Sequence, residues 1–182
     1  MEAAEAAEEG EDQEVNDMLA NMGIANPVTK KGAKTASAYH QQLAQELAGF
    51  FSGKLRSSGM ELSGVYCVYN RARGTDLVSP KDLLEACRLL EGLRLPLRLR
   101  RFESGVLTLE DAAGSDDKVL RCIEQGIAGE AYLTAIKLSA MLGVSLVLAK
   151  EYLWMAEAQG VACRDDSAQG VRYYANYWRP AS

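Results

Sequence analysis

The same order of predicted elements occurs twice along this chain, and this repeat constrains the fold more than any other feature of the sequence. The order is helix, short strand, helix, helix and hairpin. Leu62-Ser63 in the first copy corresponds to Leu133-Thr134 in the second, and Gly105-Val106 corresponds to Gly170-Val171, at offsets of 71 and 65 residues. An internal repeat of this kind indicates two similar units in tandem.

Apolar spacing and end signals predict the elements of the first copy. A helix is expected over about 38–52, and a very short strand at Met60–Leu62. Ser63 is expected to cap a second helix that ends at Gly74. A third helix begins with Ser79 at its cap and proline in the first helical position. The expected core stripes of the first and third helices are Tyr39, Leu43, Leu47 and Phe50/Phe51, and Leu83, Leu84, Cys87 and Leu90.

The second copy follows the same signals. Ala131–Leu133 predicts a short strand, Thr134 caps one helix, and Ser145 caps a last helix that Gly160 ends. The element order is that of a winged helix. We therefore predict an α+β, mainly helical fold: a disordered acidic leader over 1–14, a short helix and linker over 15–35, and two tandem winged-helix domains over 36–112 and 115–178.

Charge is distributed unevenly along the 182 residues. The formal net charge is −5, but residues 1–29 hold eight acids and no base, so the remainder carries about +3. A nearly neutral folded part lacks the basic excess that is typical of nucleic-acid-binding domains. The longest uncharged apolar run, about 138–149, is much shorter than the ~20 residues of a membrane span. The sequence predicts no signal peptide. Its four scattered cysteines are typical of a cytoplasmic protein whose thiols are reduced.

Residues for catalysis or metal binding are sparse. His40 is the only histidine, and the cysteines form no CxxC pair, so the usual ligands cannot assemble a zinc site. Paired acids such as Glu110-Asp111 fall at predicted turns or helix starts, where carboxylates satisfy free amides. We expect no catalytic residues, no cofactor and no metal.

The stretch LPLRLRRFESGVLTLE, residues 95–110, raises the question of nucleic-acid binding. Strand alternation places Leu97 and Leu99 in the core and Arg98 and Arg100 in water. The preceding helix carries three acidic side chains beside its basic ones, and the phosphates of a nucleic acid would repel these acidic side chains. A solvated face or a protein contact is the favoured interpretation, and a winged-helix nucleic-acid-binding or transcription-associated protein is the alternative.

The last helix is apolar on two sides. Ala149, Tyr152, Leu153 and Ala156 form the expected core stripe, and Val147, Trp154 and Ala158 form a second stripe. Lys150 and Glu157 are expected between the two stripes, and Glu151 beyond the second. A second apolar stripe is expected to pack against something, either another part of the chain or a partner protein. The aromatic tail YYANYW adds to this surface. The candidate partner-binding residues are Val147, Trp154, Tyr177 and Trp178.

Six segments carry a family resemblance: MGIANPVTK, YHQQLAQELAGF, VYCVYNRARGTDLVSPKDLLEAC, LPLRLRRFESGVLTLE, AKEYLWMAEAQG and CRDDSAQGVRYYANYW. In this order, from about residue 22 to 178, they resemble the C-terminal half of the GLUE-domain subunits of ESCRT-II, the endosomal sorting complex (the vacuolar protein sorting protein thirty-six family).

The resemblance implies a non-enzymatic structural subunit with tandem winged helices. It implies a complex with one other long subunit and two copies of a short tandem winged-helix subunit, which docks a proline- and aromatic-containing N-terminal segment onto the second winged helix. The complex sorts ubiquitinated membrane proteins into multivesicular bodies and engages downstream ESCRT machinery. Localisation would be cytoplasmic, and peripheral at the endosomal membrane through the complex.

The sequence departs from the family pattern at its N-terminus. The GLUE domain, which in the family binds phosphoinositide and ubiquitin, has no counterpart here, and an acidic leader stands in its place. We therefore expect no direct membrane or ubiquitin binding by this chain. The small net charge of the part after residue 29 argues against nucleic-acid binding.

Overall fold

The computed structural model describes residues 27–29, 35–55, 58–74, 76–114 and 116–177. The leader predicted over 1–14 lies outside the described residues, as does the segment over 15–35 apart from residues 27–29 and Thr35. The described part is mixed α and β and mainly helical, so the predicted fold class is confirmed.

The first copy of the repeat contains three helices and three strands in its described residues. The order matches the prediction. The elements are α1 (Ala36–Phe51), β1 (Met60–Glu61), α2 (Leu62–Arg73), α3 (Pro80–Leu89), β2 (Leu97–Arg101) and β3 (Leu107–Asp111).

Short polar side chains begin two of these helices. Thr35 caps α1, where its hydroxyl accepts from the Ala38 N–H at 3.1 Å. Ser79 caps α3 in the same way, with Pro80 in the first turn. The prediction for Ser63 was wrong, because α2 follows β1 directly and begins one residue earlier, at Leu62.

The second copy repeats the pattern in its described residues. Thr134 and Ser145 cap their helices as predicted, each accepting from a main-chain N–H three residues later. The short strand predicted at residues 131–133 is reduced to one bridge between Leu133 and Tyr173. The elements are α4 (Asp116–Glu130), α5 (Ala135–Leu142), α6 (Leu146–Ala158), β4 (Ala162–Ser167) and β5 (Gly170–Ala175).

The strands of the described residues form two separate antiparallel sheets. In the first, β3 is central, between β1 and β2, and Met60 lies opposite Leu109. In the second, β4 pairs with β5, and Ser167 lies opposite Gly170. Both hairpins turn through a glycine in the left-handed region: Gly105 has φ 93° and Gly170 has φ 103°. L side chains rarely adopt such angles.

The chain divides into two compact units. One comprises the described parts of Met1–Lys54 with Leu62–Leu99, and the other those of Leu55–Glu61 with Arg100–Ser182. The division passes through β2, since Phe102 at the tip of the first hairpin packs into the core of the second unit. The domain bounds 36–112 and 115–178 stay a prediction.

Each unit has its own apolar core. The predicted stripe of α1 is buried, and so are Leu83, Cys87 and Leu90 of α3, whereas Leu84 is half-buried. In the second unit the predicted core stripe of α6 is confirmed in full. It packs with Phe102, Val119, Ile123, Ile127, Leu133, Leu138, Leu148, Ala162 and Tyr173.

Candidate protein-docking surface

Helix α6 presents an apolar surface besides its core stripe. Val147 is 47% exposed and Trp154 is 43% exposed, although both are large apolar residues. They are seven positions apart on one helix, which places them on the same side, two turns from each other. Both sequence-predicted residues therefore lie at the surface, and Val147 lies one helical position before the buried Leu148.

Trp154 lines a groove within the second unit, called here the Trp154 groove. Its volume is about 740 Å³. One wall comes from α6 and the start of the second hairpin, and the other comes from the tip of the first hairpin. The lining residues are Arg100, Arg101, Phe102, Glu103, Ser104, Glu151, Trp154, Met155, Glu157, Ala158, Gln159 and Arg164.

The rim of this groove carries charges of both signs. Arg164 of β4 lies 3.5 Å from the Glu157 carboxylate of α6. Arg101 and Glu103 are exposed on the opposite wall. Mixed charges around an apolar floor are typical of protein interfaces, in which the rim is polar and the centre apolar.

Glu151 is buried, which differs from the sequence expectation for this position. The helical wheel placed it outside the core stripe, and it does lie beside the groove rather than among the core residues. The tip of the first hairpin forms the opposite wall of that groove. The expectation treated α6 in isolation and so missed this wall.

Arg100 does not face water, contrary to the alternation argument. Its guanidinium, 21% exposed, makes two hydrogen bonds to the Asp116 carboxylate and lies 3.5 Å from Glu110. It also lies over the Phe102 ring at 4.4 Å. Burial lowers the pKa of Arg100, but the hydrogen bond to Asp116 and the two carboxylate charges outweigh it, so its pKa is raised.

The engagement of Arg100 bears on nucleic-acid binding. A guanidinium held by two carboxylates is already neutralised and cannot approach phosphate without breaking those bonds. On α3, the helix that would enter a groove of DNA, Glu85 pairs with Arg88 at 2.8 Å. These contacts favour a protein-binding function for the fold.

Tyr177 lines a different cleft of the second unit. The side chain is 89% exposed. The cleft, of about 520 Å³, is formed with Glu124, Ile127, Ala128, Ala131, Gly160, Val161, Ala175 and Asn176. The structure therefore does not bring Tyr177 to the Trp154 groove. Trp178 lies outside the described residues.

The groups considered for metal or nucleophilic chemistry have other roles. His40 Nε2 lies 3.0 Å from the Asp82 carboxylate, in the first turn of α3. All four cysteines are free thiols, and burial raises the pKa of Cys87 to about 12. Within the described ranges, no cluster of three or more His, Cys, Asp or Glu could hold a metal ion.

Across the described segments, no single helix has the length and apolarity to cross a bilayer. Helices α5 and α6 have enough length and apolarity only when they are taken together, and they are bent by 108° relative to each other.

The repeated element order defines the class: this is a tandem winged-helix protein. A sequence model described as the EAP30/Vps36 family matches residues 3–166, and the chain belongs to this family. That membership confirms the resemblance and the prediction of a non-enzymatic protein.

Relatives named vacuolar protein-sorting-associated protein 36 are similar over most of this chain. The rat protein is 44% identical over 160 residues, which is 87% of this chain and 42% of the relative. The human protein is 43% identical over 166 residues, 90% of this chain and 43% of the relative. The Drosophila melanogaster protein is 39% identical over 160 residues, which is 87% of this chain and 39% of the relative. The chain thus spans about two fifths of the length of these relatives.

A solved structure shares the fold. The chain resembles one from a structure entitled "Structure of the ESCRT-II endosomal trafficking complex", with a TM-score of 0.68 and 22% identity. The similarity covers 84% of this chain and 99% of the other. It supports the winged-helix fold of both copies.

Proposed function

We propose that this chain is a structural subunit of ESCRT-II. It assembles with one other long subunit and two copies of a short tandem winged-helix subunit. The single observation that carries the proposal is the family match over residues 3–166. The 43–44% identity to vertebrate proteins named for vacuolar protein sorting supports it.

Within that assembly the chain acts in the sorting of ubiquitinated membrane proteins into multivesicular bodies. It is cytoplasmic, lies at the endosomal membrane through the complex, and reaches downstream ESCRT machinery indirectly. The chain itself contributes protein contacts. The engaged Arg100 and the Glu85–Arg88 pair support this over the nucleic-acid-binding alternative.

Co-purification tests the assembly. A tagged chain expressed in cells and recovered at physiological salt should bring down the other long subunit and the short subunit. Recovery of nucleic acid without either protein would favour the winged-helix nucleic-acid binder.

The second part of the proposal is that Val147 and Trp154, with the Trp154 groove, dock the N-terminal segment of the short subunit. A segment that contains proline and aromatic residues suits this site, because a half-exposed indole offers a large apolar face for them. The separate cleft at Tyr177 is proposed as a further partner contact, together with the neighbouring residue in the sequence, Trp178.

Trp154→Ala is expected to weaken binding of the purified short subunit by about thirtyfold, because truncating an interface anchor typically costs about 2 kcal/mol. Isothermal titration calorimetry measures this. Ile136→Ala is the matched control, since Ile136 is a 72% exposed apolar residue of the same unit outside the groove lining. It should leave affinity unchanged.

Thermal melting of the same variants separates docking from folding. An unchanged affinity with a lowered melting temperature for Trp154→Ala would show that Trp154 supports the fold and that the short subunit docks elsewhere. Titration of Tyr177→Ala with each partner in turn tests the second cleft in the same way.

A further inference from the structure

A buried polar cluster of the first unit has no part in the docking surface. It consists of Glu46 on α1 with Tyr69 and Arg73 on α2, and is called here the main-chain clamp. Arg73 is 1% exposed. Its Nη1 donates to the Glu46 carboxylate and, at 3.3 Å, to the Tyr69 hydroxyl, while its Nε donates to the Asp76 carbonyl at 2.7 Å.

The clamp holds both polar main-chain groups of Val28. The Val28 N–H donates to Glu46 Oε2 at 2.6 Å, and the Val28 carbonyl accepts from Arg73 Nη2 at 2.7 Å. One acidic and one basic side chain thus bind a single residue through its main-chain N–H and its main-chain carbonyl. This residue lies 18 positions before Glu46 and 45 before Arg73, so no helix or hairpin imposes the contact.

Tyr69 fixes the orientation of the Glu46 carboxylate. Its hydroxyl donates to Glu46 Oε1 at 2.5 Å, which leaves Oε2 directed at Val28. Burial, with the neighbouring Glu46 charge, raises the pKa of Tyr69, so the hydroxyl retains the proton that it donates.

Buried charges need a complete set of hydrogen bonds, and Val28 completes this one. Without it, Glu46 Oε2 and Arg73 Nη2 would lose these bonds in a site that excludes most water. The two hydrogen bonds from the clamp to Val28 use only its main-chain groups. The site therefore has the chemistry of a peptide-binding site that recognises one N–H and one C=O.

We propose that the main-chain clamp is a peptide-binding site whose occupant is the chain's own segment Pro27–Thr29, and that the same segment supplied as a separate peptide binds there once the chain's own copy is disabled. The tethered segment has an effective concentration of about millimolar, so it excludes a free peptide from the wild-type chain. The clamp thereby holds Pro27–Thr29 against α1 and α2.

Val28→Pro in the 182-residue chain disables the tethered copy, because proline lacks the N–H from which the Glu46 carboxylate accepts. Val28→Ala is the matched control: it removes the side chain and keeps both main-chain groups. The probe is the peptide IANPVTK, residues 24–30, titrated against each chain while the Arg73 side-chain N–H signals are followed by NMR.

The peptide should bind the Val28→Pro chain at least about tenfold more tightly than the wild-type or Val28→Ala chain. The same peptide N-methylated at the valine amide should bind at least about tenfold more weakly than the unmodified one. Equal binding to all three chains, or equal binding of the methylated peptide, would overturn the proposal.

A second measurement needs no variant. In the wild-type chain the Val28 amide proton should exchange at least about tenfold more slowly than its intrinsic rate, because Glu46 holds it. Exchange at the intrinsic rate would overturn the proposal even if Val28→Pro failed to fold.

Discussion

Arg100 shows how a single residue can follow the local pattern and still have a different role. Strand alternation predicted a solvated guanidinium, yet the side chain reaches Asp116, which lies 16 residues later at the start of α4. The partner becomes apparent only once the two elements are folded together. Ion pairs across such distances leave no signal in local periodicity.

Replacing Arg100 by alanine is expected to lower the free energy of unfolding by about 2–3 kcal/mol, because it leaves the buried Glu110 carboxylate without this counter-charge. Urea denaturation followed by circular dichroism measures the change. Arg101→Ala is the control on the neighbouring exposed arginine and should stay within about 0.5 kcal/mol of wild type. Equal effects of the two variants would contradict the role given to Arg100.

At the scale of the elements, helix starts were the most predictable features. Ser79, Thr134 and Ser145 each cap the helix that the sequence assigned to them. The apolar stripes of α1 and α6 were also predictable, since helical spacing alone defines which side is buried.

The features that sequence reasoning missed depend on contacts between residues that are far apart in the sequence. The second wall of the Trp154 groove comes from residues 100–104, about 50 residues before α6. The main-chain clamp joins residue 28 to residues 46 and 73. Its residues lie in the family segments MGIANPVTK, YHQQLAQELAGF and VYCVYNRARGTDLVSPKDLLEAC, and the resemblance carries no physical reason for the contact.

Ser79→Ala is expected to destabilise the first unit by about 1 kcal/mol, because Ser79 Oγ accepts from the Asp82 N–H and also donates to the Asp82 carboxylate at 2.6 Å. Lys81→Ala, an exposed position of the same helix, is the control and should change stability by less than about 0.5 kcal/mol. Chemical denaturation measures both. A Ser79→Ala variant as stable as the control would show that the cap contributes nothing.

At the scale of the whole molecule, the distribution of charge separates the two candidate functions. The part of the chain after residue 29 carries only about +3, and its arginines are partly engaged by neighbouring acids. Binding to DNA depends on a surplus of lysine and arginine side chains that can neutralise phosphates.

The chain is therefore expected to bind duplex DNA no more tightly than about micromolar at physiological salt, which is the range of non-specific binding. Fluorescence anisotropy with a labelled duplex measures this. A submicromolar dissociation constant that depends on the duplex sequence would contradict the protein-binding account.

The proposed function requires this chain to be one subunit of a larger assembly. Native mass spectrometry of the purified chain mixed with the other long subunit and the short subunit tests it most directly. We expect a single complex with one copy of this 19.8 kDa chain, one copy of the other long subunit and two copies of the short subunit. A chain that stays monomeric in the mixture, while the other two subunits associate without it, would contradict the account.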